Sequence, residues 1–265
     1  IPEDLIGFIK ESQPKKYDAL CAQYGANTDA KIVELVADNI NKSKLKTLQV
    51  LREKVKDRGQ YLDLVYFKPS HSKTPEHMQG YLKNKLSIIR QLKYSKKNEK
   101  SIDIVLFVNG LPVVTMELKN ALTGQYLHHA IKQYIQDRDP KEPLFAFGRC
   151  MVHFAVDSNL VYMASELKGN NTFFLPFNKG VNDGAGNPVN QNGLKTDYLW
   201  KETLTKASLS NIVENYAQIV EETDEDTGKI KRKLIFPRYH QIRAVIKLLK
   251  DAKTNRSEER RVGKE

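Results

Sequence analysis

Residues 101–120 read SIDIVLFVNGLPVVTMELKN, two runs rich in β-branched and aromatic residues on either side of Asn109-Gly110. Asn-Gly tolerates the positive φ angles of a tight hairpin turn, so the two runs are expected to pair as antiparallel strands. Side chains alternate with period two along a strand. In the first strand Asp103, Val105 and Phe107 therefore share one face; in the second, Val113, Thr115, Glu117 and Lys119 do. Whether Asp103 meets Glu117 depends on the loop. A two-residue turn pairs Asp103 with Met116 and sends Glu117 to the other face, whereas an odd loop pairs Asp103 with Glu117 directly. We take the odd loop, a three-residue turn with a bulge, centred on Gly110 and followed by Leu111-Pro112.

That register gathers two carboxylates and an ammonium on a surface otherwise lined by Val and Phe, which costs desolvation energy unless a divalent cation neutralises the pair. Mg²⁺ suits such a site, since it takes oxygen ligands and is satisfied by one or two carboxylates with water and substrate phosphate. Asp103 and Glu117, with the carbonyl of Leu118 as a third ligand, are the expected metal ligands. A cation held there polarises a phosphate oxygen and lowers the pKa of a bound water. Lys119 is expected to orient that water or help deprotonate it, and to offset charge developing on the phosphorane. The plain alternative is a surface hairpin carrying a Glu/Lys ion pair and an unrelated Asp.

A second Glu-Leu-Lys stands at Glu166-Leu167-Lys168, with Asp157 upstream. Asp157 falls in the apparent turn Asp157-Ser158-Asn159, which leaves Glu166 about 20 Å from the position facing it. Two carboxylates so far apart cannot share one ion, and this hairpin reads as scaffold.

Working outward, 265 residues are within reach of one α/β domain with extensions, and 40% hydrophobic residues supply a core. The net charge of +11 and pI near 9.4 favour a polyanionic partner without excluding a merely solvated basic surface. No stretch approaches the roughly 18 apolar residues of a membrane span, and the opening IPEDLIGFIK has no signal-peptide pattern, so a cytoplasmic protein without membrane contact is expected. Two cysteines, Cys21 and Cys150, lack zinc-ligand or disulfide-framework spacing.

Upstream of the hairpin lies a helical preamble. In TDAKIVELVADNINKS, Ile32, Val33, Val36 and Ile40 repeat at helical spacing behind an Asn27/Thr28 cap. A strand is expected at YLDLVYF, where Leu62, Leu64 and Tyr66 alternate, followed by a loop at PSHSKTPEHM. After Lys119, Leu127, Ala130, Ile131, Tyr134 and Ile135 form the apolar stripe of a helix that should dock on the sheet, with Gln125, His128, His129 and Lys132 opposite. The Gly- and Asn-rich stretch TFFLPFNKGVNDGAGNPVNQNGLKTDYLW reads as a surface loop. EETDEDTGKIKRK reads as a solvated connector or exposed hairpin.

The Asp103…Glu117-x-Lys119 arrangement is similar to that of the PD-(D/E)xK nucleases. The wider text IDIVLFVNGLPVVTMELKNALTGQ, with QYIQDRDP, FLPFNKG and GAGNP, resembles the amino-terminal part of the R subunit of type I restriction enzymes, over about residues 13 to 250. The resemblance implies an α/β fold, a restriction-endonuclease-like mixed central sheet flanked by helices, with QLKYS adding a strand before the catalytic hairpin. It implies Mg²⁺-dependent cleavage of double-stranded DNA, in an assembly with methyltransferase and specificity subunits where ATP-driven translocation precedes cutting. Related nucleases carry Gln-x-x-x-Tyr on the following helix; here Ala130 stands at the Gln position before Tyr134, and neither Gln133 nor Gln125 is preferred by spacing as a substitute.

The resemblance divides the chain into a nuclease region over 1–225 and, over 226–265, a linker and the first helix of an incomplete helicase-like motor domain. In FPRYHQIRAVIKLLKDA it implies that Gln241 contacts the adenine of ATP with Arg238 nearby. A phosphate-binding Gly-x-x-x-x-Gly-Lys-Ser/Thr loop is absent from the 265 residues, so this chain is not expected to hydrolyse ATP. The last ten residues, RSEERRVGKE, carry no packing pattern. Two other functional classes compete: a catalytically silent DNA-binding or motor-docking module that keeps the hairpin as structure, and a repair exonuclease on the same fold.

Overall fold

The computed structural model describes residues 1–43, 46–69, 74–181, 185–223 and 228–262. The preamble is helical: α1 (Pro2–Ser12), α2 (Pro14–Tyr24), α3 (Thr28–Lys42) and α4 (Lys46–Arg52). Pro2 and Pro14 open the first two, where the fixed φ and missing N–H of proline cost a helix nothing. Asn27 precedes α3 but makes no side-chain cap; Thr28 Oγ1 instead donates to the Gly25 carbonyl at 2.7 Å. A short hairpin follows, β1 (Val55–Asp57) with β2 (Gln60–Leu62), and then α5 (Pro75–Lys83).

The strand expected through YLDLVYF stops at Leu62. Beyond it the backbone is served by side chains rather than by a neighbouring strand. Asn109 Nδ2 donates to the Leu64 carbonyl, and Asn84 accepts from Tyr66 N and donates to Tyr66 O. Within PSHSKTPEHM, residues 70–73 lie outside the described residues.

The central sheet contains β3 (Leu86–Lys93), β4 (Ser101–Val108), β5 (Leu111–Leu118), then, after helix α6 (Leu127–Asp137), β6 (Val152–Val156), β7 (Val161–Ala164) and β8 (Leu175–Pro176). They lie side by side in chain order, antiparallel except for β5 beside β6. That parallel pair requires a crossover, and α6 supplies it. The expected mixed sheet flanked by helices is thus present, and QLK of QLKYS does extend β3.

The hairpin register differs from expectation in its cause. Val108 pairs with Leu111, so the turn has two residues, Asn109 (φ 47) and Gly110 (φ 81). A Cβ on Gly110 would stand 2.2 Å from the Ile1 carbonyl oxygen, which excludes any other residue there without a shift of α1. The odd residue sits deeper: Phe107 pairs with Pro112 while Leu106 pairs with Val114, leaving Val113 as a bulge. Proline has no N–H for the ladder, so the irregularity costs least beside Pro112. The bulge also takes Val113 off the Thr115/Glu117 face, and it packs with the preamble helices.

Two cores result. One joins Phe8, Ile9, Leu20, Ile32 and Leu51 of the preamble to Val114, Met116 and Phe154 of the sheet. The other lies under α6, where Leu127, Ala130 and Tyr134 cover Ile102, Val105, Phe107 and Ala155. The long Gly/Asn-rich loop is pinned on the surface: Asn187 bridges Asn159 and Asn178, and buried Tyr198 donates to the Phe177 carbonyl at 2.7 Å; Gly184 of GAGNP lies outside the described residues. Short helix α7 (Lys206–Asn211) leads to a hairpin of β9 (Gln218–Thr223) and β10 (Ile230–Ile235), and 224–227 between them lie outside the described residues. Helix α8 (Tyr239–Val262) follows and runs through much of RSEERRVGKE, whose last three residues lie outside the described residues. Phe236, Tyr239 and Ile242 join the preamble-side core, with Phe236 ring-packed on Phe154 and Phe177.

Candidate active site at the end of the hairpin

The bulge resets the ladder so that Ile104 faces Met116. One step further along the same register places Asp103 opposite Glu117. Asp103 Oδ2 accepts from the Leu118 amide at 2.7 Å, and Oδ1 accepts from Gln91 Nε2 of β3 at 2.8 Å. In an antiparallel ladder the N–H and C=O of one residue point the same way, so the Leu118 carbonyl faces the Asp103 side as well.

Glu117 points under α6 and is fully buried. Its Oε1 accepts from Arg138 Nε at 2.7 Å, and Arg138 is itself 3% exposed. Arg138 leaves the end of α6, donates to the Ser101 carbonyl and Tyr94 hydroxyl, and lies over the Tyr94 ring. Glu117 Oε2 finds no hydrogen-bond donor among the described residues. Burial pushes the Glu117 carboxyl upward; the Arg138 guanidinium acts against that shift and favours the ionised form, while the neighbouring Asp103 charge adds to it. Burial works against the Arg138 charge, yet Glu117 more than offsets it and the guanidinium is held more firmly protonated.

Lys119 Nζ donates to Gln133 Oε1 of α6 at 2.6 Å. The structure therefore prefers Gln133 over Gln125 as the glutamine beside the lysine, a choice that spacing along the chain left open. Thr115, next inward from Glu117 on its face, bonds both Tyr134 Oη (2.9 Å) and His153 Nδ1 (2.7 Å) in a buried chain. The rings of His128 and His129 lie tilted against one another at the start of α6, and His129 Nδ1 accepts from the Tyr126 amide, so His129 serves the helix terminus.

A buried carboxylate oxygen without a donor, beside a second carboxylate, is what a hard divalent cation would complete. Among the described residues no group of three or more His, Cys, Asp and Glu side chains comes together. The available donor set is two carboxylates plus main-chain carbonyl oxygen, the sparse set that Mg²⁺ accepts with water in its remaining positions.

The second Glu-Leu-Lys gathers nothing comparable. Asp157 Oδ1 accepts from the Asn159 and Leu160 amides and Oδ2 from Leu127 N, so it shapes the β6–β7 turn and caps α6. Glu166 pairs with Lys168 at 2.7 Å.

Arg138 was missed in the sequence. Its signal was present: positions 127, 131, 134 and 138 continue one helical stripe, and an arginine at the end of a buried stripe requires a buried anion.

The six-stranded mixed sheet flanked by helices, with two carboxylates and a lysine at the end of its central hairpin, is consistent with a nuclease-like fold. The chain belongs to the family described as type I restriction enzyme R protein N terminus, which matches residues 10–172. That span holds Asp103, Glu117, Lys119, Gln133 and Arg138. Membership places the chain in a restriction system, implies a type I restriction complex and DNA as its setting, and suggests a nuclease. No individually curated protein matches the chain. Among the described residues no helix is long and apolar enough to cross a membrane.

Proposed function

We propose that this chain is the DNA-cleaving domain of a type I restriction enzyme R subunit, hydrolysing phosphodiester bonds with Mg²⁺ at Asp103 and Glu117. The observation that carries the reading is the buried Oε2 of Glu117, which has no donor among the described residues, on a carboxyl that neighbours Asp103. Asp103, Glu117 and the Leu118 carbonyl are the groups that would hold the ion. When bound, Mg²⁺ supplies Lewis-acid polarisation of a phosphate oxygen and a more acidic water.

The chain's own residues do the remaining work. Lys119, held by Gln133, places an ammonium at the mouth of the site, where it orients the attacking water and offsets charge on the pentavalent phosphorus. Arg138 fixes Glu117 Oε1, so that Oε2 is the oxygen presented to a ligand. The charge of +11 supplies sequence-independent attraction for phosphates, as suits a domain that cuts away from any base-reading surface.

In the whole protein this activity is coupled to ATP-driven translocation, with methyltransferase and specificity subunits as partners. We assign 1–225 to the nuclease and 226–265 to a linker and the first helix of a motor. There Gln241 and Arg238 stand together, the Arg238 amide donating to Gln241 Oε1 at 2.8 Å, and on this reading they meet adenine.

The test is the full-length subunit reconstituted with its partners on a plasmid bearing their site, wild type against Glu117→Ala. Cutting is expected to vanish with ATP turnover intact. Cutting that survives sinks the metal site and leaves a DNA-binding or motor-docking module in its place.

A further inference from the structure

Gln91 lies in the middle of β3, directly across from Asp103: its neighbours keep one register, Arg90 with Ile104 and Leu92 with Ile102. Its φ is nevertheless 52°, the left-handed region that an unbranched, non-glycine residue avoids. The alternation of β3 breaks at this point. Ile89 and Leu92, three apart, both pack on the α6-side core, as does Tyr94.

The Gln91 side chain is exposed, so no packing holds it in place. Hydrogen bonds hold it instead. Nε2 donates to Asp103 Oδ1 at 2.8 Å, and Oε1 accepts from Ser101 Oγ at 2.8 Å, which fixes which end of the amide meets the carboxylate. With the Leu118 amide on Oδ2, each oxygen of Asp103 has one donor, the plane of the carboxylate is set, and each oxygen keeps a lone pair.

We propose that Gln91 is a positioning residue for Asp103: its strained backbone aims the amide that orients this carboxylate toward the cation. Residues kept in sparsely populated backbone conformations gather where geometry serves a site, and partners of metal-ligating groups tune affinity without touching the ion. The inference rests on the reading of Asp103 and Glu117 as cation ligands. The left-handed backbone also turns Leu92 and Tyr94 under α6, so a useful variant must keep the turn and delete the amide. Glycine does both. Asparagine tolerates the same backbone with a side chain one carbon shorter.

The experiment measures Mn²⁺ binding by electron paramagnetic resonance and the urea midpoint, on the full-length subunit as wild type, Asp103→Asn, Gln91→Gly and Gln91→Asn. Both Gln91 variants are expected to weaken Mn²⁺ binding by roughly tenfold while the midpoint stays level or rises. Wild-type Mn²⁺ affinity in Gln91→Gly overturns the proposal and leaves the residue as a kink alone. Loss of affinity together with loss of stability in both variants overturns it too, as a structural effect. If Mn²⁺ binding is indifferent to Asp103→Asn, the cation site itself fails and the role of Gln91 falls with it.

Discussion

Arg138 and Glu117 form a buried ion pair between the end of α6 and the end of β5, with side chains 2% and 0% exposed. Taking two charges out of water is repaid only by close mutual contact, so removing one partner strands the other. Arg138→Met is therefore expected to destabilise the fold by about 3–5 kcal/mol. The double variant Arg138→Met/Glu117→Leu, which strands no charge, should recover most of that loss. Urea midpoints of the four proteins of this cycle check it; equal losses in the single and double variants would show that the arginine acts through packing.

His153 gives the fold a specific acid sensitivity. Burial holds its imidazole down to about 3 against an ordinary 6.5, and Thr115 occupies Nδ1. A folded value below the unfolded one means that the unfolded chain binds the proton more tightly. The stabilisation is complete above pH 6.5 and is lost as pH falls toward 3, at roughly 1.4 kcal/mol per unit. Thermal melts between pH 7 and 4 should show this slope, and His153→Asn should flatten it.

The lysine depends on α6 for its position. Gln133→Leu removes the acceptor from Lys119 Nζ on a half-buried helix face. Cutting by the reconstituted complex should fall by roughly ten- to a hundredfold, the range expected when a reacting group is misplaced by about an ångström. Mn²⁺ affinity should be unchanged, since Gln133 touches neither carboxylate.

The turn of the hairpin separates backbone strain from hydrogen bonding. Asn109 is buried at φ 47, donates to Leu64 O and Asn84 Oδ1, and accepts from Lys85 N. Asn109→Gly keeps the backbone free to adopt this φ but strands those partners, at a cost of about 1–3 kcal/mol. Asn109→Ala adds the left-handed penalty, roughly 1–2 kcal/mol more. Calorimetric or urea-derived stabilities that rank Ala no lower than Gly would contradict the strain at this turn.

The sequence by itself determined the hairpin, the docking stripe of α6 and the family, because each is written in local periodicity or in a contiguous phrase. It also set aside Asp157 and Glu166, since a turn fixes how far apart two strand residues stand. Tertiary structure decided the rest. A two-residue turn alone would have parted Asp103 from Glu117; the bulge at Val113, beside a proline that cannot donate, brings them together. Gln91, Gln133 and Arg138 come from β3 and α6, 12, 14 and 21 positions from the carboxylate or lysine that each one holds. Local pattern reports which face a side chain takes, whereas a hydrogen bond between elements depends on how those elements are laid against one another. That arrangement is fixed by the two cores on either side of the sheet.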